Sequence, residues 1–472
     1  MSLLLISYAA AAAAMFAATL YLFFRLRLFL TATTMLIGSL LLIYGPAFLS
    51  YTLSSGEPGF LIHRLSGASV GGIHPHSIFS IIRAKVADLD AVIVAMNFSV
   101  ALMYVGIVAG IEAVDRLIPR RIARMRTALT NWNGQTLQDN TGDHRILLAV
   151  ILALVAFMLF FSVTENHIAT IWRFLSITGD DNTARNMFRL HFAGSPNYLY
   201  RLILGAVAPL FVIWGLLAAG VSRAWPLMLA ASVLFILAFV GKSDTLSKAP
   251  PAFFLIQMMV AAFLAFTNKL TWRSAFVAAG SVALILYAVT RLVMMSSEGM
   301  IALELAYSRI FEATNQALLE NFATFPFVHP HMWGANLRPV ARLLGLPYMP
   351  AYSIVAHTWY GNYDVTSPAL FIADAWADFS YAGVIVFSVL AGVICRSIDA
   401  IFLVQGKTVV GIAVLGAAFI GVFTLLITAL NTALFSGGLL LAPILAGLLV
   451  RATGYLGQRR LASSAKTAAL NK

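Results

Sequence analysis

Apolar residues in this chain come in long uninterrupted runs. They lack the period-two alternation of half-buried strands and the narrow stripes of surface helices. A helix needs roughly 20 apolar residues to cross a bilayer. Eleven runs come close to that length, over residues 3–24, 28–50, 91–114, 146–164, 198–220, 226–241, 251–267, 275–294, 367–395, 408–430 and 434–450. The pattern predicts an all-α, polytopic integral membrane protein with about 11 transmembrane helices. It reads as a single transmembrane domain over 1–450 followed by a tail, 451–472. The first run follows Met1 without a basic flank or a cleavage site, so it reads as a retained helix and not as a cleaved leader.

Composition narrows the class further. Hydrophobic residues make up 60% of the 472 and charged residues 11%, about half the share usual in soluble domains. That excludes a water-soluble enzyme, a disordered chain and a nucleic-acid-binding module. The net charge of +12 then points to cytoplasmic loops and lipid headgroups, with membrane lipids as partners and no nucleic acid. The single cysteine, Cys395, excludes an internal disulfide or a thiolate cluster and reads as packing.

Basic residues set the orientation, because short Lys/Arg-rich connections stay in the cytoplasm. Arg25 and Arg27, the cluster Arg116 to Arg126, Arg223, Lys269 and Arg273, Arg396 and Lys407, and Arg451 to Lys466 fall in every second connection. The N-terminus is therefore expected outside and the C-terminus inside. The external segments become 51–90, 165–197, 242–250 and 295–366, and they carry eight of the nine histidines.

Those segments hold the candidate chemistry. Residues 296–325 read as an amphipathic interfacial helix ended by Pro326, with Leu303, Tyr307, Ile310, Phe311, Leu318 and Phe322 on one stripe. Between 333 and 363 sit Trp333, Tyr348, Tyr352, Trp359, Tyr360 and Tyr363, six Trp or Tyr where the chain-wide share predicts about 1.5. These rings suit either sugar stacking or an aromatic belt at the headgroups. Arg185 and Arg189, four apart, and Arg201 could grip phosphate oxygens bidentately or simply snorkel. Lys242, Asp244 and Lys248 occupy a short turn between short spans, as part of a sunken site or as a solvated Asp–Lys pair. Asp374 and Asp378, four apart within an apolar run, would share a helix face. Carboxylates inside a membrane segment are costly, so they are candidates for general-base work, or for a structural pair satisfied by Arg or His. Asp88 and Asp90 read more readily as an N-cap than as a metal-binding DxD. His74 and His76 lack a nearby third ligand.

Several segments together resemble the oligosaccharide repeat-unit polymerases, the Wzy-type O-antigen and exopolysaccharide polymerases of bacteria. FIADAWADFSYAG is similar to that family's F-I-x-D-A-Y-A-N-F-G-x-x-G run through Asp374, Ala375, Ala377, Phe379 and Gly383. Asp378 stands where Asn is common, and Ser380 where Gly is common. RIFEATNQALLENFATFPFVHPHMWG resembles the stretch before the family's large-loop glycine through Arg309, Phe325, Pro326 and Gly334. Tyr198 and Pro209 match a mid-chain span, and Ser247 and Lys248 match a Lys-containing turn. The resemblance covers roughly residues 180–400.

It implies a GT-C-like membrane glycosyltransferase of the bacterial inner membrane with a large periplasmic loop. Its substrates would be undecaprenyl-diphosphate-linked oligosaccharides, joined at the periplasmic face without a cofactor and without a metal, and a chain-length regulator would be a further partner. Developing negative charge on the diphosphate would be met by Arg185, Arg189, Arg201, Lys248 and Arg309. Asp374 is the first choice of base, His357 the second, with Asp378 beside them. Trp333, Trp359 and Tyr360 would orient sugars. An O-antigen ligase shares this architecture, a lipid-linked oligosaccharide flippase is the transporter-class alternative, and a non-catalytic assembly component is a third.

Overall fold

A computed structural model of the chain describes residues 2–54, 76–177, 197–244, 249–269, 308–361 and 369–453, with a few single positions between them. The described residues are mostly helical and include no strand; an isolated backbone bridge joins Gln138 and Thr408. In chain order the principal helices are α1 (Leu3–Arg25), α2 (Ala32–Leu53), α3 (His76–Lys85), α4 (Leu89–Leu117), α5 (Pro119–Thr130), α6 (His144–Thr164) and α7 (His167–Leu175). They continue as α8 (Tyr198–Ser222), α9 (Trp225–Ser243), α10 (Ala249–Phe266), α11 (Ala313–Thr324), α12 (Arg338–Leu344) and α13 (Ala351–Tyr360). The last are α14 (Phe371–Phe402), α15 (Val409–Leu425), α16 (Leu430–Leu434) and α17 (Leu441–Thr453).

Eight of these, α1, α2, α4, α6, α8, α9, α10 and α14, are long and apolar enough to cross a membrane. The protein is an all-α, multi-pass membrane protein. The shorter apolar helices α15 and α17 fall on two further expected spans, and the expected span 275–294 lies largely outside the described residues.

The chain divides into two compact units built from discontinuous segments. The first combines residues 1–119, 286–397 and 422–433. The second combines 120–285, 398–421 and 434–472.

In the first unit α4 and α14 pack backbone to backbone. A Cβ on Gly110 would lie 2.2 Å from the carbonyl oxygen of Val389, and one on Gly392 would lie 2.3 Å from that of Ile107. Small residues thus let two membrane helices approach closely. At the far end of this contact Arg396 donates from Nη2 to Asp115 at 3.0 Å, and Arg25 reaches Asp115 and Glu112 from α1. The charges of that layer are paired, as a low-dielectric setting demands. Asp88 caps α4 by accepting from Ala91 N at 2.9 Å, the N-cap reading of the Asp88–Asp90 pair.

The second unit packs α6, α8 and α9 together. Trp214 Nε1 donates to Thr141 Oγ1 at 3.0 Å, and Trp132 Nε1 donates to the carbonyl of Leu264 at 3.1 Å. Helix α5 buries Ile122, Met125 and Leu129 and turns Arg120, Arg121 and Arg124 outward.

One expected element differs in kind. Helix α11 was expected to lie at the interface with one face outward, and it ends at Thr324 before Pro326 as predicted. Yet Thr314, Asn315 and every residue from Ala317 to Thr324 are buried, so α11 is a core helix. Two of its polar side chains bond back to the helix's own backbone. Asn321 Nδ2 donates to Ala317 O at 2.8 Å, and Thr324 Oγ1 donates to Glu320 O at 2.7 Å. An apolar stripe alone does not distinguish a helix on a leaflet from one whose polar face meets other polar groups.

Candidate functional site

The site is built where α14 begins. Its helical path breaks at Phe379 (φ −132°, ψ 16°) and Ser380 (φ 56°, ψ −147°), one residue after Asp378. Residues Phe371 to Asp378 therefore form a short segment set off from the rest of the span. At the break the backbone folds tightly. A Cβ on Gly383 would lie 2.3 Å from the carbonyl of Ala375, so only glycine fits there.

The loop between α11 and α12 docks on this segment through its backbone. Met332 N donates to Ala377 O at 2.9 Å, and Trp333 N donates to Asp378 O at 3.0 Å. The Asp378 carboxylate folds back on the same loop. Its Oδ1 accepts from Gly334 N at 2.9 Å and from Asn336 N at 3.3 Å. Trp333 takes a left-handed backbone (φ 50°), unusual for a bulky residue, and Gly334 follows at φ 96°. A Cβ on Gly334 would meet Val340 Cγ1 at 2.6 Å, which accounts for the glycine. Strained positions of this kind persist only where their surroundings fix them, as two ladders of hydrogen bonds do here.

Asp374, one turn earlier, is held differently. Asn336 donates from Nδ2 to Asp374 Oδ1 at 2.7 Å, while Asn336 Oδ1 accepts from Ala351 N at 2.9 Å. The two carboxylates thus divide their work. Asp378 is buried and accepts backbone amides. Asp374 is half-buried and faces a cleft. Among the described residues neither pairs with Arg or His, the structural alternative that the sequence suggests.

The cleft has a volume of about 320 Å³ and lies within the first unit. It is lined by Asn321 of α11, Asn336, Tyr348, Tyr352, Ala369 and Asp374, by Asn431 and Thr432 of α16, and by residues 427–429 between α15 and α16. This last stretch was expected to continue a transmembrane span to residue 430. The helix ends at Leu425 instead, and Thr428, Asn431 and Thr432 face the cleft. Burial, with Tyr352 and Asp374 nearby, holds the Tyr348 phenol above its ordinary value against the opposing Arg338, so it stays protonated at neutral pH.

His357, Trp333, Trp359 and Tyr360 are not among the residues that line this cleft. His357 is exposed and stacks on Tyr363 with ring centroids 4.0 Å apart. Trp333 is exposed. Trp359 is buried, and its indole N–H is committed to Glu320 O at 3.1 Å and Thr324 Oγ1 at 2.9 Å. That is a packing role inside the unit. Tyr360 is exposed on one side and donates its hydroxyl to the buried Glu320 at 2.5 Å; Gln316 donates to the same Glu320 oxygen at 2.8 Å. Burial and the Glu320 charge raise the Tyr360 phenol above its ordinary value.

Of the expected cations, Arg201 is exposed on α8 in the second unit. Arg185, Arg189 and Lys248 lie outside the described residues, as does the side chain of Arg309. Asp244, just after α9, is not solvated. Asp244 is buried beside His167 (3.6 Å), and His167 is itself buried, 3.0 Å from Glu165 and 3.3 Å from the Tyr200 hydroxyl.

Asn336, Asn321, Thr428, Asn431 and Thr432 carry no pattern in the sequence that singles them out. The one available signal is the run of polar side chains interrupting an apolar stretch at residues 424–432.

Compared with known proteins, the chain matches no family model, no curated protein and no solved structure.

Proposed function

We propose that this chain is a GT-C-like glycosyltransferase of the bacterial inner membrane. In this reading it polymerises undecaprenyl-diphosphate-linked oligosaccharide repeat units at the periplasmic face and transfers the growing glycan to the incoming unit. The observation that carries the reading is Asp374: a half-buried carboxylate at the start of a membrane helix, oriented by one amide, opening on a cleft lined with amides and hydroxyls. The resemblance of residues 371–383 to the polymerase run is the second support.

The chemistry follows from what each group can do. The acceptor hydroxyl must lose a proton as it attacks the anomeric carbon, and Asp374 is the group to take it. Asn336 holds that carboxylate in one rotamer. The leaving diphosphate needs cationic partners, and Arg185, Arg189, Arg201, Lys248 and Arg309 are proposed for it. Binding both lipids in one membrane supplies proximity. Orientation follows the basic connections, with the N-terminus periplasmic and the C-terminus cytoplasmic.

The test in cells is a deletion strain carrying Asp374→Asn or Arg189→Ala. Loss of long glycan chains, with single lipid-linked units still made and present at the membrane, supports the reading. Glycan of unchanged length and amount contradicts it. Single units that are polymerised normally but fail to reach lipid A core would indicate the ligase instead.

A further inference from the structure

The cleft beside Asp374 has a charge pattern that selects what enters it. Among its described lining residues Asp374 is the only charged one. The rest are amides, hydroxyls, two tyrosines and small apolar side chains. An anionic group placed there would face a carboxylate with no cation among the described lining residues, and like charges at close range are unfavourable. A neutral polyol would find donors and acceptors on several sides and an aromatic wall. At about 320 Å³ the cleft lies at the low end for small-molecule sites, with room for on the order of one or two sugar rings.

Its aromatic wall is prepared for stacking. Arg338, outside the lining, sits over the Tyr348 ring 5.0 Å from its centroid. That contact occupies one face of the ring and fixes its plane. Asn431, also in the lining, accepts from Thr432 N through Oδ1 at 2.8 Å, which orients its amide.

We propose that this cleft takes a neutral, hydroxyl-rich sugar ring, with Tyr348 as its stacking platform and Asn431 as a specificity-determining contact, and that the diphosphate stays outside it. The proposal rests on the glycosyl-transfer reading for the source of that sugar, but not for the binding itself. It moves sugar recognition from Trp333, Trp359 and Tyr360 to residues on the cleft wall.

The test is ligand-observed saturation-transfer NMR on the full-length protein in nanodiscs. The probes are methyl glycosides of glucose, galactose and mannose, with methyl glucuronide as the anionic comparison. At least one neutral glycoside receives saturation, and the glucuronide binds about tenfold more weakly or not at all. Tyr348→Ala weakens the neutral glycoside roughly tenfold, while Tyr348→Phe keeps it. Asn431→Ala changes the ranking among the three sugars. Thermal unfolding of each variant shows that it is folded. Absence of binding by all three neutral glycosides, equal binding of the glucuronide, or unchanged binding by folded Tyr348→Ala overturns the proposal. A protein that binds neutral glycosides in this way yet elongates no lipid-linked unit keeps the proposal and loses the glycosyl-transfer reading. Elongation without glycoside binding does the reverse.

Discussion

The side-chain amide of Asn336 joins Asp374 to the start of α13, donating to the carboxylate at 2.7 Å and accepting from Ala351 N at 2.9 Å. One residue therefore fixes the candidate base and the helix that follows the loop. Asn336→Ala leaves a buried backbone N–H without its acceptor, at a cost of about 1–3 kcal/mol. Thermal unfolding in detergent should show a lowered midpoint. Asn336 acts through Asp374, so in an elongation assay turnover should fall more than the acceptor KM rises. A variant with native stability and native turnover would remove Asn336 from the account.

Asp378 and Asp374 should respond oppositely to the same substitution. The Asp378 oxygen accepts from two backbone amides, a role that an Asn side-chain oxygen can also fill. Asp378→Asn is expected to keep both fold and most elongation activity, which fits the Asn common at this position in the polymerase run. Asp378→Ala leaves the amides of Gly334 and Asn336 unpaired and should destabilise by about 1–3 kcal/mol. Comparing elongation and thermal midpoints of the two variants checks this.

Trp359 separates packing from sugar contact. Its N–H is spent on the backbone of Glu320 and the hydroxyl of Thr324. Trp359→Phe should lower stability by about 1 kcal/mol and leave elongation at a permissive temperature near that of the unaltered protein. Full stability with lost elongation would instead place Trp359 against substrate.

The second unit carries a pH-dependent element in Asp244. Burial raises its carboxyl above the ordinary 3.8, His167 opposes that shift, and Glu165 adds to it. A carboxyl that holds its proton more tightly when folded gives stability that is fully present at low pH. That stability declines as pH rises from about 4 through the raised value. Asp244→Asn cannot ionise, so its stability should vary less with pH over that window. Thermal midpoints measured across the pH series decide it, and equal slopes for the two proteins would contradict it.

The sequence made the membrane helices legible because long apolar runs are their direct physical requirement. It also pointed to Asp374 and Asp378, since carboxylates stand out in such a run. It did not show that the helix breaks after Asp378, because the break depends on a loop 40 or so residues earlier docking through backbone groups that any side chain could carry. For the same reason Asn336 was invisible: a lone Asn in a loop has no periodicity. Thr428 sat within a stretch apolar enough to pass as membrane helix, and Asn431 lay just past its expected end. The polar face of α11 reads as solvent-facing until its partners, Tyr360 and Trp359, are brought to it by the fold.

The most direct test of Asp374 as the base is elongation by the purified full-length protein in nanodiscs supplied with undecaprenyl-diphosphate-linked repeat units. The unaltered protein should produce a ladder of longer lipid-linked glycans. Asp374→Asn, with a thermal midpoint close to that of the unaltered protein, should elongate about 10²- to 10⁴-fold more slowly. Undiminished elongation by Asp374→Asn, or no ladder from the unaltered protein, would contradict the account.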